Sequence, residues 1–188
     1  MSARLSASAI LARKGQPEPF PILTAYDAPT AAQVEAAGLD IILVGDSLAN
    51  VVLGYDSTTS LTLRDMIHHA GAVVRGTKSA HVIVDLPFGS YQTSDEDAVR
   101  AACDVIRATG ATSVKLEGGV SMASRVRAIA GAGIPIMAHI GVLPQTAARS
   151  TGFKVRRDVD LLMSDAHAVS EAGAYAVVLE AVEHEFCL

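Results

Sequence analysis

Only two cysteines occur in 188 residues, Cys103 inside a helical pattern and Cys187 beside the C-terminus. They allow neither a disulfide framework nor a zinc-ligand spacing, and a reducing cytoplasm is the compartment this usage fits. Long apolar runs are missing as well. Half of the residues are hydrophobic and the mean hydropathy is +0.34. Yet every apolar run is broken by Gly, Asp, Lys or His well before the roughly 18 residues that a membrane span needs. Basic residues are scattered rather than gathered, and a net charge of -5 argues against nucleic acid as a partner. No Gly-rich GxGxxG or P-loop pattern follows a strand candidate, so nucleotide binding has little support. No linker, short-period repeat or low-complexity tract interrupts the chain. A single domain over 1–188 is expected, large enough to bury one substantial core. Residues 1–20 read as a short helix and lead-in covering one end of it. The acid-free stretch 1–17, with Arg4, Arg13 and Lys14, resembles an organellar transit peptide only weakly.

What is present is an alternation. Runs rich in Val, Ile and Leu at 21–26, 40–46, 81–86, 113–117, 135–140 and 174–180 are separated by Ala-rich helical patterns. Such alternation predicts an α/β fold with a parallel sheet, about six βα units long, each strand followed by a helix. Thr62 with Asp65 and Ser94 with Asp97 have capping-box spacing, which assigns those acids a structural task. Segments ending at Gly38, Gly110, Gly133 and Gly173 read as glycine C-caps returning to the next strand.

The remaining acids fall in register. IILVGDS, VIVDLPF, SVKLEGG and AVVLEA each place a carboxylate where an apolar run stops, at Asp46, Asp85, Glu117 and Glu180. Parallel strands point the same way, so these four ends converge on the face where such folds place their chemistry. Crowded carboxylates repel unless a cation or protons compensate, and a hard divalent ion such as Mg²⁺ takes oxygen ligands. Lys115, two residues before Glu117, faces the same side of its strand and serves either to neutralise the acids or to hold an anionic substrate. Ser47 offers a hydroxyl suited to a carboxylate, and His139 in MAHIG also lies near a strand end. Plainer alternatives stay open: helix caps for the acids and Ser47, a structural ion pair for Lys115, a hydrogen-bonded core histidine for His139. Asp27, just before Ala28-Pro29, is read as a helix entry. The pattern points to metal-assisted enolate chemistry on a small 2-oxo acid, with one carboxylate as the base.

The motifs LTAYDAPTA, LVGDSLANVVLGYDST, VDLPFGSY, VKLEGG, MAHIGVLPQ and AGAYAVVLEAV resemble, in order and spacing, those of the ketopantoate hydroxymethyltransferases, in the phosphoenolpyruvate mutase and isocitrate lyase superfamily. The resemblance runs from about Pro21 to Val182. It implies a (β/α)8 TIM barrel that transfers a hydroxymethyl group from 5,10-methylenetetrahydrofolate to 3-methyl-2-oxobutanoate, giving 2-dehydropantoate for pantothenate synthesis. By motif, Asp46, Asp85 and Glu117 match the family's Mg²⁺ site and Glu180 its proton acceptor. Asp46, Ser47, Asp85, Lys115 and His139 match substrate-holding positions. A cytoplasmic homo-oligomer, a decamer in the family, is also implied. Two departures stand out: the loop RSTGFKVRRDVDLLMSDA is shorter than the family's, and Arg156-Arg157 stand where Gln-Gly-Arg is typical. The chain also ends just after the sixth strand, so an incomplete barrel is expected. Two competing readings are a truncated, inactive barrel fragment acting only as an oligomer partner, and a related 2-oxo acid lyase or mutase. Relatives of the latter kind often place a reactive cysteine in an active-site loop, and here neither Cys103 nor Cys187 follows an acid-bearing strand.

Overall fold

The computed structural model describes residues 4–147 and 153–183. Part of the short loop (148–152) and the end of the chain with Cys187 lie outside the described residues, as does any helix after the sixth strand.

The expected alternation is present. The elements run α1 (Ala7–Leu11), β1 (Leu23–Thr24), α2 (Ala28–Ala36), β2 (Ile41–Val44), α3 (Leu48–Val51), α4 (Leu63–Gly76), β3 (His81–Asp85), α5 (Asp95–Thr109), β4 (Ser113–Glu117), α6 (Ala123–Gly131), β5 (Ile136–Gly141), α7 (Pro144–Ala147), α8 (Val159–Glu171) and β6 (Ala176–Glu180). The six strands form one sheet in the order β1-β2-β3-β4-β5-β6, every pair parallel. The first strand is shorter than the apolar run around it. Pro21 lacks a backbone donor and Asp27 already caps α2, its side chain accepting from Thr30 N at 2.7 Å, so only Leu23 and Thr24 pair with β2.

Local signals set the helix limits. Thr62 and Asp65 form the reciprocal capping box, whereas at Ser94 only half of it forms: Ser94 Oγ accepts from Asp97 N, but the Asp97 carboxylate takes the Ser94 and Thr93 hydroxyls. Gly38, Gly110, Gly133 and Gly173 have φ between +74 and +104, the left-handed turn expected of C-caps. Helix α4 buries Met66, Ala70 and Val73, one stripe at helical spacing, against the sheet.

The sheet curls. Tyr175 OH, just before β6, lies 3.1 Å from His81 Nε2 on β3 and 3.0 Å from Ser113 Oγ on β4. In a flat sheet β3 and β6 would be about 14 Å apart, three spacings of about 4.8 Å. Only a half-barrel brings those side chains into contact. Its outer face (Ile42, Val44, Val82, Val84, Val114, Leu116, Ile136, Ala138) packs under the helices, and its inner face holds Ile41, Leu43, Ile83, Met137 and Val178. Burial on both faces explains why β2 and β3 read as unbroken apolar runs.

Residues of the N-terminal stretch pack against this inner face. Ile10 packs with Ile41, Ile83 and Met137, and Arg4 donates to Val74 O, Thr77 O, Thr77 Oγ1 and Ala80 O. The sheet ends at β1 and β6, whose Leu23 and Leu179 are 47% and 45% exposed.

Candidate active site

The inward positions at the C-terminal ends of the strands carry the chemistry. Lys115 and Glu117 point inward on β4 and pair in register with Asp85 and Met137, and with His139. Asp46 follows β2 by two residues, and Glu180 ends β6 opposite Gly141. Asp46, Ser47, Asp85, Lys115, Glu117, His139 and Glu180 all line one cavity of about 370 Å³. All seven residues expected from the sequence are thus together.

Within the cavity a chain of polar contacts crosses four strands, β3 to β6. Lys115 Nζ lies 2.6 Å from Asp85 Oδ1 and 3.3 Å from His139 Nδ1. An ammonium only donates, so Nδ1 must accept and the imidazole hydrogen sits on Nε2. That nitrogen lies 3.3 Å from Glu180 Oε2. Burial pulls the Lys115 ammonium down, but the carboxylates of Asp85, Glu117 and Asp46 outweigh it and hold the ammonium above the usual value. Glu180 is half-exposed, and its contact with His139 outweighs partial burial to keep its carboxyl below the usual range. Glu180 is therefore ionised at neutral pH. Its strand end is shaped by glycine: at Gly141, φ +96, a Cβ would lie 2.3 Å from Glu180 O, so no larger residue fits while β6 keeps its place.

Asp46 and Glu117 are strained electrostatically. Burial, then the Asp85 charge, pushes Asp46 up to about 6. Burial also drives Glu117 up to about 8; Lys115 opposes this, while Asp46 and Asp85 add to it. The cavity lining contains one cationic side chain among the described residues, Lys115, against these acids. Asp85 itself accepts from Asp46 N at 3.0 Å through Oδ2, while Oδ1 faces the Lys115 ammonium at 2.6 Å.

These donors suit a hard divalent cation. They are carboxylate oxygens in negative excess. No ready cage of three or more His, Cys, Asp or Glu side chains exists among the described residues. Mg²⁺ does not need one, because it retains waters and is commonly held by one or two carboxylates together with substrate oxygens.

Ser47 stands at the N-cap of α3 but makes no side-chain cap bond. Its hydroxyl instead meets Tyr26 OH at 2.9 Å, and Tyr26 O in turn contacts His69 Nδ1 at 2.7 Å. The helix-cap alternative for Ser47 therefore does not hold. The sequence reading also missed Gln145, Tyr91, Tyr26 and Thr58. Gln145 and Tyr91 form a buried hydrogen-bonded cluster behind Asp46 and Glu117. Thr58 lines the cavity with its buried Oγ1 unpaired. All four lie within the quoted motifs, but nothing in residue type or periodicity distinguishes them there. Cys103 is exposed on α5 and does not line the cavity. Arg157 pairs with Glu183, and Arg156 Nε donates to Gly141 O at 3.4 Å, at the rim next to β6.

Comparison with known proteins adds the following. A family model described as ketopantoate hydroxymethyltransferase matches residues 4–187. A 3-methyl-2-oxobutanoate hydroxymethyltransferase of Corynebacterium jeikeium (strain K411) is 53% identical over 174 residues, covering 91% of this chain and 62% of the relative. One from Syntrophomonas wolfei is 48% identical over 187 residues, covering 97% of this chain and 68% of the relative. The chain thus spans about two thirds of the length of these curated relatives. Among solved structures, a 2,3-dimethylmalate lyase of the PEP mutase/isocitrate lyase superfamily superposes with a TM-score of 0.67 at 20% identity, covering 96% of this chain and 64% of that one. A phosphonopyruvate hydrolase in complex with oxalate and Mg²⁺ superposes with a TM-score of 0.72 at 14% identity, covering 94% and 64%. Both share the fold.

Proposed function

The chain belongs to the ketopantoate hydroxymethyltransferase family, and from that premise we propose that its cavity serves the transfer of a hydroxymethyl group from 5,10-methylenetetrahydrofolate to 3-methyl-2-oxobutanoate, within a (β/α)8 barrel of which β1–β6 are the part described. One observation carries the proposal: Asp46, Asp85, Lys115, Glu117, His139 and Glu180 meet around one cavity at the C-terminal ends of parallel strands.

In this reading Asp46, Asp85 and Glu117 hold Mg²⁺. When bound, the cation supplies positive charge that stabilises negative charge developing on the keto oxygen of the substrate. The remaining steps belong to the chain itself. Ser47 donates to the substrate carboxylate, and Lys115 offsets charge at the floor of the cavity. Glu180 is ionised, reaches the open side of the cavity, and removes the proton from the carbon beside the keto group. His139, with its hydrogen on Nε2, steadies the Glu180 carboxylate in the attacking orientation. The resulting nucleophilic carbon forms a C–C bond to the folate methylene as the first C–N bond breaks; water then displaces the second folate nitrogen to give the hydroxymethyl group, and the two freed nitrogens take up the proton removed from the substrate and one from water. A cytoplasmic homo-oligomer is part of the same reading, supported by the contiguous exposed Val51, Val52 and Leu53. Light scattering tests that part.

Proton removal can be followed without folate. Incubated in D₂O with Mg²⁺, the protein should exchange the methine proton of 3-methyl-2-oxobutanoate, seen by NMR as loss of that signal. A folded sample that neither binds Mg²⁺ nor exchanges the proton overturns the proposed activity for this chain and leaves its family membership intact.

A further inference from the structure

Behind the acids lies a side chain that the function above does not use. Gln145, on α7, is 2% exposed, and its side-chain amide and backbone N–H are all engaged. Its Nε2 donates to Asp46 Oδ2 at 2.9 Å and to Leu86 O at 3.0 Å. Its Oε1 accepts from Tyr91 OH at 2.6 Å and from Gln92 Nε2 at 3.2 Å. Its backbone N–H donates to Glu117 Oε2 at 3.0 Å. The orientation of the amide is dictated by its neighbours. A carboxylate and a carbonyl can only accept, so the NH₂ must face them and the oxygen must face the hydroxyl. Tyr91 extends the cluster, its OH also accepting from Glu117 N at 3.2 Å.

One residue thus ties the acid after β2 to the acid that ends β4. In each carboxylate it occupies one oxygen and leaves the other. We propose that Gln145 is a positioning residue that holds Asp46 and Glu117 for the divalent cation and makes Asp46 present a single oxygen to it. This rests on the reading of the cavity as a Mg²⁺ site. Single-oxygen ligation matters because Mg²⁺ demands a compact octahedron, whereas Ca²⁺ accepts carboxylates through both oxygens. Hydrogen bonds to ligating carboxylates fix their orientation, and losing such a partner typically weakens metal binding about 10–100-fold.

The test titrates Mg²⁺ and Ca²⁺ calorimetrically into the parent chain, Gln145→Met and Gln145→Ala, with urea unfolding of each. The methionine variant keeps the volume but takes the amide donor from the Leu86 carbonyl and leaves the Tyr91 hydroxyl to donate to Glu117 O, 3.2 Å away. The alanine variant leaves polar room for waters to take those bonds, and so guards against a failure to fold. Mg²⁺ affinity should fall about 10–100-fold, Ca²⁺ affinity should fall less, and the preference for Mg²⁺ should narrow. Variants that lose stability but keep Mg²⁺ affinity overturn the inference, since Gln145 would then only support the loop. Equal losses for both ions overturn the single-oxygen assignment. A parent chain that binds no Mg²⁺ overturns the cavity reading and the inference with it, whereas binding by parent and variants alike overturns the inference alone.

Discussion

Replacing Lys115 by methionine tests the electrostatics of the cavity most directly. The ammonium is 2.6 Å from Asp85 Oδ1, both side chains are 5% exposed, and no second cation lines the cavity among the described residues. Methionine fills much the same volume, so the packing change alone costs ~1.5 kcal/mol or less. The larger effect is a buried carboxylate left unpaired, for which about 3–5 kcal/mol is expected. For a chain of this size that lowers Tm by roughly 6–20 °C. The penalty must depend on pH. Lys115 pulls the Asp46 and Glu117 carboxyls down, so its removal lets both bind protons more tightly in the folded state. Protonation then relieves the repulsion in acid and cannot do so in base. Urea unfolding of parent and Lys115→Met should give a clearly larger penalty at pH 8 than at pH 5. Adding Asp85→Asn should recover most of the loss, because it removes the charge left unpaired. A penalty equal at both pH values, or below about 1 kcal/mol at pH 8, would refute the reasoning.

The raised carboxyls of Asp46 and Glu117 also couple stability and metal binding to pH. The unfolded chain loses these protons near the ordinary carboxyl values of 3.8 and 4.5, the folded chain at about 6 and about 8. Between those limits the folded state binds more protons, so metal-free stability falls as pH rises across the window, a trend that Tm against pH measures. Mg²⁺ needs the ionised carboxylates, so its affinity should rise from pH 6 to 8, with proton release detectable by titration calorimetry in buffers of different ionisation enthalpy. Glu180→Gln should slow the proton exchange about 10²–10⁴-fold while Mg²⁺ binding and Tm stay near the parent, since the side chain is 44% exposed; rapid exchange by that variant would remove Glu180 as the base. Gly141→Ala places a Cβ 2.3 Å from Glu180 O; it should lower Tm and slow exchange together by forcing β6 away, and full activity there would show that β6 needs no such approach.

Much of the half-barrel is legible along the chain. Alternating apolar runs, the Thr62 capping box and the glycine turns are local signals, decided within a few residues, and they predicted six strands with nearly correct limits. Where boundaries slipped, as at β1, pairing with a neighbour rather than the apolar run set the length. The inward placement of Lys115 beside Glu117 followed from the two-residue period of a strand. The convergence of Asp46, Asp85, Glu117 and Glu180 followed from parallel order alone.

Contacts between residues far apart in sequence carried no such signal. That Gln145 grips Asp46 across 99 positions, that Ser47 bonds Tyr26 rather than capping its helix, and that His139 stands between Lys115 and Glu180 depend on how far the sheet curls. Residue type and periodicity determine which side of a strand a side chain takes. Only the closing of β2 to β6 around a common space decides which neighbour it meets there, how much water it loses, and therefore which protons it keeps.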